Sequence, residues 1–339
     1  MSRVVLITAT SAKFFEPYLD LLDSLAAVGL RKQYDIGLID LGLTPGQREL
    51  LRLRGAQIQP ARWPVCPPPE QDRIEFVSFV ARPWAREFFP GYDTYVWMDA
   101  DMWVQSADFW APMMEGARRT GLAVPAEIDE DYGPPPMSGH LWMLKHLRAA
   151  IGLPGALRLL RRPMINNGLF AMRADAPHWG AWQRYTSRLV ERAHRTVAVD
   201  QVALFLTIHR DRLPTHLLGA SANWVCSLAV PGWDDERQRF ITPGPSRRAI
   251  DVIHNTTPSR GRRFTVVGTS GATMSRFLHR PGGHFVGQLL GAASIVVEPA
   301  QGEGDGAPLD SGATPQEPTT DRDAGKVSAD PRQRPEPVT

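Results

Sequence analysis

The chain has 339 residues, enough for one large domain or two ordinary ones around a substantial core. Its 38 Lys and Arg against 36 Asp and Glu leave a formal charge of +2, which argues against a nucleic-acid footprint, so any basic site has to be local. Cys66 and Cys226 are too few for a disulfide framework and fit a reducing, cytoplasmic setting, and no run approaches the roughly 18 apolar residues of a membrane span.

Val4 to Ile7 is an apolar run too short for a signal segment and reads as a buried first strand, followed by the polar turn Thr8 to Ala12. Pro17 suits a first helical turn, Tyr18, Leu21, Leu22 and Leu25 recur at helical spacing, and Gly29 supplies a stop. Tyr34 to Ile39 reads as a second strand, Thr44-Pro45 as the start of a short basic helix, and Trp63 to Pro69 as a Pro-rich loop. Helical pattern returns over Phe76 to Phe89, interrupted at Pro83. Thr94 to Met98 is a strand, Leu122 to Val124 a shorter one, and the acid- and proline-rich stretch Asp129 to Gly139 a loop. Ile165 to Met172 reads as a turn into a strand, its Asn167-Gly168 suited to positive φ. His178 to His194 is an amphipathic helix, Asp200-Gln201 opens another, and Ala249 to Ile253 is a last strand ending at His254.

Beyond about Glu298 the composition turns to Pro, Gly, Asp, Glu, Ser and Thr, too poor in apolar groups to offset the entropy of ordering. Residues 1–285 are therefore expected to form one domain and 286–339 a disordered tail. Alternating strands and helices predict an α/β, Rossmann-like domain whose mainly parallel central sheet carries helices on both faces.

Within this frame Asp99-Ala100-Asp101 stands out, because two carboxylates leave a hydrophobic strand two residues apart and project to one side, where both can reach a hard divalent cation. A bare D-x-D arises about once by chance in a chain of this length, and Asp129-Glu130-Asp131 and Asp321-Arg322-Asp323 match it too. Only the first follows a central strand, at whose C-terminal end open α/β sheets place their ligands.

Taken in order, Val4 to Thr10, Arg82, Met98-Asp99-Ala100-Asp101, Asn166-Asn167-Gly168, Asp200-Gln201 and His254 resemble family 8 glycosyltransferases, the glycogenin and lipopolysaccharide galactosyltransferase group of GT-A fold, over roughly residues 3 to 265. The resemblance implies that Asp99, Asp101 and His254 hold Mn²⁺, or Mg²⁺, against the diphosphate of a nucleotide sugar, most simply a UDP-hexose. It further implies donor contacts from Thr8, Ala9, Thr10, Arg82, Ala100, Asn166 and Asn167, with Asn166, Asp200 and Gln201 beside the reacting carbon, and transfer to a carbohydrate or glycoconjugate acceptor with retention of configuration. A Lewis-acid metal suits this chemistry because it neutralises the departing diphosphate without moving a proton.

Two departures from the family pattern stand out. The lysine expected six residues after the metal-binding histidine is missing from His254-Asn255-Thr256-Thr257-Pro258-Ser259-Arg260-Gly261-Arg262-Arg263, where Arg260, Arg262 and Arg263 are the cations available for a diphosphate, Arg260 and Arg262 foremost. Thr10-Ser11 stands where an acid or amide that reads uracil is usual. Trp142 and Trp224 are the candidates for stacking on an acceptor sugar. The competing readings are a nucleotide-sugar or carbohydrate-binding protein that transfers poorly, and a metal-dependent nucleotidyltransferase, against which the lack of a Gly-rich phosphate loop after Ile7 counts.

Overall fold

The computed structural model describes residues 2–67, 73–132, 137–193, 199–256 and 259–294. The first strand, β1 (Val4–Thr10), runs three residues past its apolar start, and α1 (Phe15–Ala27) follows, stopped at Gly29 with φ of 79°. β2 (Asp35–Asp40) leads to α2 (Pro45–Leu53), where Thr44 and Gln47 form a reciprocal capping box, and then to β3 (Ala56–Pro60). The helical pattern over Phe76 to Phe89 resolves into 3-10 turns at Ile74–Phe79 and Arg82–Trp84 and a single-turn α3 (Ala85–Phe88), because Pro83 cannot continue a ladder of backbone bonds.

Next come β4 (Thr94–Met98), β5 (Met102–Val104), α4 (Trp110–Thr120) and β6 (Leu122–Pro125). Helix α5 (Met137–Leu159) starts inside the stretch read as a loop and bends at Gly152, whose φ of 73° and ψ of 166° are not helical. β7 (Leu169–Arg173), α6 (His178–Ala193), α7 (Val199–His209) and β8 (His216–Leu218) complete the main layers. Then follow β9 (Trp224–Val225), β10 (Gly232–Asp234), β11 (Arg239–Ile241), β12 (Val252–His254), β13 (Arg263–Val267), β14 (Thr273–Phe277) and α8 (His284–Ser294). The domain boundary expected at residue 285 falls inside α8, and the tail beyond 294, with Asp321 and Asp323, lies outside the described residues.

The central sheet has seven strands in the order β3-β2-β1-β4-β7-β6-β8. All neighbours are parallel except around β7, which runs antiparallel to both β4 and β6. The alternation along β4 explains why its run is apolar throughout: Tyr95 and Trp97 pack with α6 and α7 on one face, and Val96 and Met98 with α1 and α4 on the other. The mixed α/β fold with a mostly parallel sheet is thus as the sequence predicts.

A second sheet, β5-β12-β9, lies past the C-terminal end of β4. It pairs His254 with Met102 on one side and Val225 on the other, a register that sets the histidine beside the acidic turn from 153 residues away in sequence. Trp103, Trp224, Trp233, Phe240 and Ile253 form its apolar backing.

Candidate metal and active site

The turn after β4 is fixed by backbone bonds from Asp99 N to Gly168 O and from Asn255 N to Asp101 O, so β7 and β12 both close on it. Each carboxylate has one oxygen anchored and one turned inward. Asp99 Oδ1 accepts from Trp97 Nε1 at 2.8 Å and pairs with Arg82, while its Oδ2 is 3.9 Å from His254 Nε2. Asp101 Oδ2 accepts from Arg260 Nη2 at 2.8 Å, while its Oδ1 is 3.4 Å from His254 Nε2. The three side chains offer ligand atoms within 4.8 Å of one another.

His254 is buried, and its Nδ1 bonds Asn223 Oδ1 at 3.1 Å. An amide oxygen accepts only, so Nδ1 carries the hydrogen and Nε2 faces the carboxylates. Burial opposes a charge on this ring, but the adjacent Asp101 and Asp99 carboxylates outweigh it and raise the histidine above its ordinary value. For Asp101, burial favours the neutral acid, and His254 and Arg260 overcome that and lower its pKa. The donor set of two carboxylates and one imidazole fits a divalent cation.

Gly168 is required here for space. A Cβ on it would lie 2.8 Å from Asp99 Oδ2, from His254 Cε1 and from Met102 Cε. Neither Asn167 nor Gly168 has positive φ, so the expectation that they serve a left-handed turn is corrected: the glycine clears the cluster, and Asn167 donates from Nδ2 to Asp200 Oδ2 at 2.9 Å.

The structure brings Arg82 to the centre rather than to the surface. It is 8% exposed, bridges Asp99 and Asp200, the latter at 2.6 Å, and stacks over Trp97 at 5.1 Å. Asp200 has both oxygens engaged, Oδ2 by Arg82 and Asn167 and Oδ1 by Gln201 N, and burial raises its pKa despite Arg82. Asn166 is equally engaged: its Oδ1 accepts from Gly168 N and Asn223 Nδ2, and its Nδ2 donates to Glu127 Oε1 at 2.7 Å. Thr8, Ala9 and Thr10 run beside the acidic turn, given the parallel register of Ile7 with Trp97, and Thr10 Oγ1 is buried with no partner among the described residues. Ala100 is buried within the turn, Arg260 stacks over Phe14 at 4.0 Å, and Arg262 is exposed.

Two residues of this cluster escape a reading of the sequence. Glu127 follows β6, and burial raises its carboxyl pKa against hydrogen bonds from Asn166 and Gln201 and the charge of His254. The rule that singles out Asp99, an acid just past an apolar strand, applies to Glu127 equally. Asn223 lies on a 3-10 turn, Ala220–Asn223, that no local pattern marks, and it links His254 to Asn166. Trp224 is excluded as an acceptor platform, being fully buried with Nε1 donating to Ala229 O, and Trp142 lies in α5 rather than in a loop.

No protein-family model matches the chain, and no curated protein matches it in sequence. Among solved structures the chain is similar to the galactosyltransferase LgtC in complex with donor and acceptor sugar analogs, at 11% identity and a TM-score of 0.47, over 75% of this chain and 88% of that one. Mouse xyloside xylosyltransferase 1 in its apo form is similar at 11% identity and a TM-score of 0.46, over 76% of this chain and 98% of that one. The bifunctional glycosyltransferase WbbM is similar at 13% identity and a TM-score of 0.45, over 66% and 40%.

Proposed function

We propose that the chain is a divalent-metal-dependent glycosyltransferase that moves a hexosyl group from a nucleotide sugar, in the first instance a UDP-sugar, to a carbohydrate or glycoconjugate acceptor. One observation carries this reading: Asp99 Oδ2, Asp101 Oδ1 and His254 Nε2 converge, while each group's other polar atom is held by the protein. A site so braced is preorganised for one cation at the C-terminal edge of the sheet. When bound, Mn²⁺ would neutralise charge on the diphosphate leaving group.

The chain's own residues do the rest. Arg260, released from Asp101, would supply the diphosphate cation that the missing lysine provides elsewhere in the resembling family, its guanidinium already aligned by stacking on Phe14. Arg82 orients Asp99 and Asp200 together, so Asp200 acts through Arg82 and Gln201 as a positioning residue instead of attacking carbon. Glu127, with its pKa raised by burial, is the group suited to hold or take the proton of an acceptor hydroxyl, next to Gln201. Thr8, Ala9 and Thr10 border the place for the nucleoside, and transfer with retention follows the resemblance.

The test is a panel of nucleotide sugars incubated with the full chain, with and without Mn²⁺, scored for nucleoside diphosphate release. Slow Mn²⁺-dependent release from a UDP-sugar is expected. Binding without release would assign a carbohydrate-binding role, and pyrophosphate formation a nucleotidyltransferase; either result would overturn the proposal.

A further inference from the structure

Away from the metal cluster, α5 shows an unusual pairing of exposed leucines with unbalanced positive charge. Leu141, Leu153 and Leu157 are 57%, 47% and 55% exposed. Leu141, Leu144, Lys145, Arg148, Ala149 and Leu153 line one open cleft of about 410 Å³, so the leucines and the basic groups share a surface. Past the bend at Gly152, Leu157 follows Leu153 by one turn, and Arg158 and Arg161 are exposed.

Charge on this stretch is wholly of one sign. Residues 137–162 contain Lys145, Arg148, Arg158, Arg161 and Arg162, and no Asp or Glu occurs anywhere from Tyr132 to Ala174. Beside the bend, Arg188, Arg192 and Arg210 surround another cleft of about 260 Å³ with Gly152 and Tyr185. Three exposed leucines of α5 therefore lie among basic residues with no acid on the helix.

We propose that this face of α5 rests on the surface of an anionic lipid bilayer, with the leucines entering the acyl boundary and the lysine and arginines meeting lipid phosphates. Exposed leucines interleaved with basic side chains, with no acid on the helix, suit the charged boundary of an anionic bilayer, and α5 is not apolar enough to span it. A second copy of the chain fits less well, because a two-fold contact sets a patch against itself and here would oppose like charges. A nucleic acid would engage the arginines but leave the leucines without a partner.

The test is sedimentation of the full chain with vesicles of equimolar phosphatidylcholine and phosphatidylglycerol, compared with phosphatidylcholine alone. Binding to the anionic vesicles only is expected, weakened by salt. Leu153→Ser with Leu157→Ser should lower it about tenfold or more, as should Arg158→Glu with Arg161→Glu, at about fivefold or more per charge. Both pairs alter exposed positions, so melting temperatures should stay near wild type, and each pair checks the other. The proposal is overturned if the anionic vesicles are not bound, if neutral vesicles are bound equally, or if both pairs bind as wild type does. Conversion of a dimer to a monomer by the leucine pair would likewise overturn it, assigning the face to self-association.

Discussion

Asp99-Ala100-Asp101 and Asp129-Glu130-Asp131 carry the same spacing of carboxylates and meet opposite fates. Asp129 has both oxygens taken by a single guanidinium, Arg248 Nη2 at 2.7 and 2.8 Å, and its partner Glu130 is exposed. That arrangement ties two loops and leaves nothing for a ligand. At Asp99 and Asp101 the second sheet adds a histidine, and each carboxylate keeps an inward oxygen. What lets a D-x-D pair offer a cation three ligands is the convergence of distant segments upon it, not the pair.

Substitutions at the two triplets sharpen this contrast most. Asp101→Asn should abolish Mn²⁺ binding and lower donor turnover by about 10²-fold or more, the loss expected when a charge-stabilising group is removed. Asp129→Asn should leave both unchanged. Isothermal titration with Mn²⁺ and assay of nucleoside diphosphate release decide it, and equal effects at the two triplets would break the comparison.

Next in size is Asn223→Ala. It removes the acceptor that fixes His254 Nδ1, and should lower Mn²⁺ affinity by about 10-fold to 100-fold, the usual consequence of losing such a support. Thermal unfolding in the presence and absence of Mn²⁺ separates this from general destabilisation, because the stabilisation gained from the ion should shrink.

The pH dependence has a definite sign. His254 is raised above its ordinary value of 6.5 in the folded chain, so metal-free its contribution to stability is full below that value and is lost as pH rises through the folded pKa. An ion must displace this proton, so Mn²⁺ affinity should fall as pH drops below the folded pKa, by up to about tenfold per unit for one proton. The stabilisation by Mn²⁺ should therefore be greater at pH 8 than at pH 6, in melting curves taken at both.

The smallest effect is expected at the structural triplet. Arg248→Ala should cost on the order of 1 kcal/mol of stability, since the arginine is 44% exposed and its pairing is screened, though Asp129 is left without it. Chemical denaturation measures this, and Mn²⁺ binding should not change.

How far the sequence reveals this molecule depends on range. β1, β4 and α6 are legible because buried strands and amphipathic helices write their period into consecutive residues. α5 is not, because Gly152 and Pro154 interrupt it and a proline run precedes it. β9 and β10 have two or three residues each, too few for any period. Arg82 and His254 are legible only through the order of motifs, since neither has a local signature. Asn223 is invisible for a further reason: it works between His254 and Asn166, 31 and 57 residues away, and nothing in its neighbourhood depends on it.

The central claim concerns one cation held by two carboxylates and one imidazole, and the most direct measurement is electron spin-echo spectroscopy of Mn²⁺ added to the full chain. The structure predicts one tightly bound ion per chain coupled to a single histidine nitrogen, with that coupling lost in His254→Gln. Binding without nitrogen coupling, or no tight binding at all, would contradict it.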